Sequence, residues 1–171
     1  MTLGTPPALA GRLGELSTVL WQQRQLIERL EYRLEVQQLL SIAGKVDYLN
    51  LAVADVEQVL DDIRRSEDVR LGVVAECSAQ MGLPVGATLR ELSAAATDPW
   101  NFVLDDHQTE LLKLVARTES LAASNRELAN RGLGDSRRIL EQFDGAPVSA
   151  YGKHGDRPAL LLPPTLVNRD A

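Results

Sequence analysis

Leu13, Leu16, Leu20, Ile27, Leu30 and Leu34 fall on alternating steps of three and four residues, with Gln23 and Gln37 at the intervening places. An apolar repeat of this kind is the seam of a helix packed lengthwise on another helix. Leu26, Leu39 and Leu40 widen it on one flank. A continuous helix from Leu9 to Leu40 is about 48 Å long, which suits a hairpin or bundle better than a compact fold. Only 4% of the residues are aromatic, and Leu, Ala, Glu and Arg are abundant. Both features favour helices over a β-sandwich.

Gly44 interrupts the pattern, and Val46, Leu49, Val53, Val56, Leu60 and Ile63 resume it. No cluster of turn residues stands at Gly44, which favours a continuous or kinked pair of segments there. Gly82, Pro84 and Gly86 mark a clear loop, after which Thr88-Leu-Arg-Glu91 has the form of a capping box. Asp98-Pro99 reads as an N-cap followed by proline at the first helical position. A last long helix carries Leu104, His107, Leu111, Leu114, Thr118, Leu121, Asn125 and Leu128 on one seam. Asn125 is a polar residue at a core place, the kind that fixes register. Gly132 and Gly134 each weaken that helix by about 1 kcal/mol relative to Ala. Ile139, Leu140 and Phe143 then resume its apolar face.

The expected fold is therefore all-α: an elongated antiparallel helical hairpin or bundle. Its long helices cover about 8–43, 46–80 and 99–143, with a short helix at about 88–96. Residues 1–145 form the helical domain and 146–171, rich in Pro and Gly, a flexible tail. Residues 1–16 lack a basic region followed by an apolar core, so they are not expected to act as a signal peptide, and no apolar run approaches the roughly 20 residues that span a bilayer.

A net charge of −6 argues against an electrostatic grip on nucleic acid or an anionic membrane. Cys77 is the single cysteine, so no disulfide forms within the chain, and it reads as a small buried apolar residue. His107 lies in a seam and reads as a packing residue. Asp105, Asp106 and Glu110 beside it complement a helix N-terminus more readily than they hold a metal. No phosphate loop, dinucleotide fingerprint or hydrolase elbow is present. These absences point to a binding protein with no cofactor, no metal and no turnover.

Residues 118–155, "TESLAASNRELANRGLGDSRRILEQFDGAPVSAYGKHG", combine an Asn-containing amphipathic helix, a small-residue linker and Tyr-Gly-x-x-Gly. This order resembles the C-terminal part of the FlgN family of flagellar export chaperones. The stretch 81–100 looks like an elaboration beyond that pattern. The resemblance implies a cytoplasmic chaperone for the hook–filament junction proteins FlgK and FlgL. Such a protein holds the C-terminal helical segment of its client and presents it to the export gate protein FlhA. Carried over by position, client binding falls to Leu121, Asn125, Leu128, Leu133, Ile139, Leu140 and Phe143. Gate docking falls to Tyr151, with Gly152 and Gly155. The competing reading is a structural coiled-coil protein that self-assembles through its heptads.

Overall fold

The computed structural model describes residues 5–144, apart from the side chains of Leu140, Gln142, Phe143 and Asp144. The expectations for the tail, including Tyr151, Gly152 and Gly155, lie outside the described residues. Those residues form four α-helices: α1 Pro7–Ile42, α2 Val46–Met81, α3 Leu89–Ala95 and α4 Trp100–Asp144.

Helix α1 is the central element, packed on α2 along one side and on α4 along another. Its seam explains why. Leu13, Leu16, Leu20, Gln23, Leu30 and Leu34 are all buried, so the sequence periodicity is also the buried stripe. The chain does not continue or kink at Gly44. It reverses, because Gly44 takes a left-handed conformation with φ 64°. The Gly44 amide donates to Ser41 O (3.2 Å) and the Lys45 amide to Leu40 O (2.9 Å). This pair of bonds closes a helix without any Pro or Asn cluster.

Three contacts fix the hairpin as antiparallel and nearly symmetric about that turn. Arg12 Nε meets Glu76 Oε2 at 2.9 Å, Gln23 Nε2 donates to Glu67 Oε2 at 2.9 Å, and Arg33 Nη1 meets Asp55 Oδ2 at 2.8 Å. Helix α4 instead runs parallel to α1. His107 Nε2 lies 3.0 Å from Ser17 Oγ, Arg117 Nε 3.0 Å from Glu31 Oε1, and Ser124 Oγ accepts from Gln38 Nε2 at 2.9 Å. The bundle is thus up, down, up.

A left-handed Gly82, φ 68°, ends α2. The Thr88 capping box then starts α3: Glu91 N–H donates to Thr88 Oγ1 (3.2 Å), and Thr88 N–H donates to Glu91 Oε2 (2.7 Å). Asp98 is not the N-cap of the last helix. Asp98–Pro99 is a cis peptide in a turn, α4 begins at Trp100, and its first amides donate to Thr97 O.

Apolar burial is concentrated at the α3 end. Leu13, Leu16, Leu20, Val74, Cys77, Leu92 and Leu104 form one core cluster, against which Leu9, Met81, Leu83, Leu89 and Trp100 pack. A full burial of each large side chain contributes about 1.5–3 kcal/mol. A smaller cluster of Leu30, Leu34 and Val59 lies further along, with Leu121 and Ala122 packed on it. The two are separated by a polar layer in which Glu67 accepts from Gln23 and pairs with Arg70. The Arg70 bond is the main reason the Glu67 carboxyl is held below the usual carboxylate range.

Candidate partner-binding surface

The paired positions on α1 and α4 rise together, so the register can be followed to the end of α1. Gln38 meets Ser124, and Asn125 Nδ2 donates to Leu34 O (2.8 Å) and Gln37 Oε1 (3.1 Å). By that offset, α4 passes the end of α1 near residue 130. Its last 15 residues or so, about 22 Å of helix at 1.5 Å per residue, extend past the hairpin turn.

Inside the bundle the α4 seam is used. Leu104, His107, Leu114 and Thr118 are buried, while Leu111, Leu121, Asn125 and Leu128 are half-buried. Beyond the turn, the same steps of three and four reach Gly132 and Ile139 with nothing from α1 opposite. Residues 129–135 are all exposed, and Leu133 is 69% exposed. On a helical wheel Gly132, Leu133, Ser136 and Ile139 share a sector about 120° wide. A Cβ added at Gly132 or Gly134 meets nothing within 4 Å, so neither glycine is required by a close neighbour.

The opposite face is charged but largely self-neutralised. Arg131 pairs with Glu127, Arg137 with Glu141 at 3.3 Å, and Arg138 with Asp135 at 3.7 Å. The surface that carries Arg126, Arg131, Arg137 and Arg138 is therefore mixed in charge.

The sequence-derived site residues thus divide. Leu121 and Asn125 are engaged within the bundle, Leu121 against the smaller core cluster and Asn125 in the bonds to Leu34 and Gln37. Leu128 stands at the exit from the bundle. Leu133 and Ile139 lie on the projecting segment. Leu140 and Phe143 are within α4, but their side chains lie outside the described residues. Sequence reasoning took Leu39 as a flank of the seam and missed Ile42, Tyr48 and Leu51. All four, on either side of the Gly44 turn, are 59–68% exposed. Their signal was apolar residues off the heptad seam, beside a helix-breaking glycine.

Cys77 and His107, the two side chains that could carry chemistry here, lie inside the packed bundle. Burial pushes the Cys77 thiol up, away from thiolate character. The His107 imidazole is held below its ordinary value, first by burial and then by Arg24. Its ring meets Trp21 edge-on at 6.2 Å. The Ser17–His107 pair does not form a nucleophile–base–carboxylate set, because His107 Nδ1 has no partner to orient it. Asp106 bonds Arg24 at 3.1 Å and Glu110 bonds Lys113 at 2.8 Å. Among the described residues no three His, Cys, Asp or Glu side chains group as metal ligands, and no helix is long and apolar enough to cross a membrane.

Among the described residues the geometry is that of a bundle of long helices whose last helix outruns its neighbours. Residues 12–159, most of the chain, match the FlgN protein family. The chain belongs to that family, one of flagellar export chaperones rather than enzymes. No curated protein and no solved structure matches it.

Proposed function

We propose that this chain is a cytoplasmic export chaperone for FlgK and FlgL, holding their C-terminal helical segments unassembled until it hands them to FlhA. The observation that carries this reading is the projecting end of α4, where an apolar stripe continues past the last turn of α1. An amphipathic client helix fits such a stripe through anchors at i, i+3, i+4 and i+7. Leu128, Leu133 and Ile139 supply anchors, joined by Leu140 and Phe143 at the next positions of the same pattern. Leu121 and Asn125 set the stripe in place from inside the bundle.

Tyr151, with Gly152 and Gly155, is assigned to docking on FlhA. It follows the client-binding helix in sequence, so one chain can engage client and gate together. Tyr151→Ala is expected to leave helicity and client affinity unchanged while weakening FlhA binding in a pull-down. A fall in thermal stability on that substitution would instead place Tyr151 in the packed fold.

The direct test is a calorimetric titration with a C-terminal fragment of FlgK or FlgL. One-to-one binding, lost when the client's terminal helices are deleted, is the expected result. Absence of binding to both fragments overturns the reading.

A further inference from the structure

The two ends of the bundle are built differently. At one end α3 and the 82–88 loop cover the core, and Leu9, Met81, Leu83, Leu89 and Trp100 are drawn onto it. At the other end the hairpin turn carries Leu39 (65% exposed), Ile42 (68%), Tyr48 (59%) and Leu51 (65%). Single exposed apolar side chains are ordinary on a protein surface. Four large ones lie within one turn region at one end of the bundle, two on each helix, a concentration of exposed apolar side chains that suits an interaction patch. None of the four lies on the seam that closes the hairpin, so their apolar character is not accounted for by the fold.

The patch is continuous with an interface already in use. Inside the bundle α4 packs its apolar stripe on α1, and the register puts Ile42 level with α4 near residue 130. The stripe leaves α1 where the patch begins. A single helix laid along the projecting part of α4, on the line vacated by α1, therefore runs directly into the hairpin tip.

We infer that the hairpin tip is the second half of the partner site. Its occupant is one amphipathic helix of roughly four turns, the length of the projecting segment. That helix has apolar residues at three- and four-residue steps and an apolar end seated on Ile42 and Tyr48. The inference rests on the chaperone reading and adds to it a stop. The tip sets how far along α4 the client helix lies, so the client's last turn is recognised as well as its stripe.

The test compares Ile42→Ser/Tyr48→Ser with Leu133→Ser and the unaltered protein, using the same FlgK or FlgL fragment. All three altered side chains are exposed, so circular dichroism and melting temperature should match the parent. The tip double variant should bind at least about tenfold more weakly, as expected when apolar anchors are lost. It should bind a fragment lacking its last helical turn no more weakly than the parent does. Parental affinity in the tip variant, alongside weakened binding by Leu133→Ser, overturns the inference and leaves the chaperone reading standing. Failure of the unaltered protein to bind either fragment overturns the chaperone reading itself. Two other outcomes also overturn the inference by naming a different occupant. One is a sedimenting dimer of the free protein that Ile42→Ser dissociates. The other is faster hydrogen exchange at residues 39–51 on removal of 145–171 alone.

Discussion

Asn125 sits at a core place and uses its amide to reach Leu34 O and Gln37 Oε1 across the α1–α4 contact. Pattern alone identified it as a register residue, because a polar side chain at a seam position has no other cheap place to be satisfied. Asn125→Ala should lower unfolding free energy by about 1 kcal/mol in urea titration, the net worth of a hydrogen bond of this kind. His107 was legible as a packing residue for the same reason, but its partners Ser17 and Trp21 were not, since they lie 90 and 86 positions away. Its pH effect follows from burial beside the Arg24 cation, with Asp106 acting in the opposite sense. The folded protein holds the imidazole neutral, below its ordinary 6.5, so the unfolded chain takes up the proton first. Stability is full above about pH 6.5 and falls as pH drops through that value. His107→Gln should flatten the His-dependent part of that slope in melts recorded across this range. An unchanged slope would show that the ring is not buried in the neutral form.

At the scale of elements, the long helices were legible because each carries its own seam, and α3 because its capping box is local. The turn at Gly44 was not. It is made by backbone bonds from Gly44 and Lys45, which leave no cluster of turn residues in the sequence. The start of α4 was displaced for a similar reason, Thr97 O taking the first amides that Asp98 was expected to cap. Two glycine substitutions should move in opposite directions. Gly44→Ala forces a side chain into the left-handed region and should destabilise by about 1–2 kcal/mol. Gly132→Ala meets open space in a right-handed helix and should raise the helicity of the projecting segment, gaining up to about 1 kcal/mol. Hydrogen exchange at residues 130–144 distinguishes these effects, since only the second slows exchange there.

For the whole molecule, the all-helical class follows from sequence periodicity, whereas the division of labour along α4 does not. Periodicity runs from Leu104 to Leu128 and resumes at Ile139, which cannot show where α1 stops; only the register through Gln38 and Asn125 does. That is why Leu121 and Leu133 looked alike in sequence yet differ in the fold, one packed on Leu30, Leu34 and Val59 and the other 69% exposed. Of the exposed tip residues, Leu39 looked like a flank of the seam, and Ile42, Tyr48 and Leu51 escaped notice because they lie off it. Core and stripe should therefore separate cleanly under mutation. Leu16→Ala, fully buried, should cost about 2–5 kcal/mol, while Leu133→Ser should leave the melting temperature unchanged and weaken only partner binding. The central claim is that the part of α4 beyond the hairpin turn holds the client. Its most direct measurement is calorimetric titration of a chain ending at residue 129 with the C-terminal fragment of FlgK or FlgL. An intact bundle that no longer binds is the expected result; binding at the affinity of the full chain would overturn the claim.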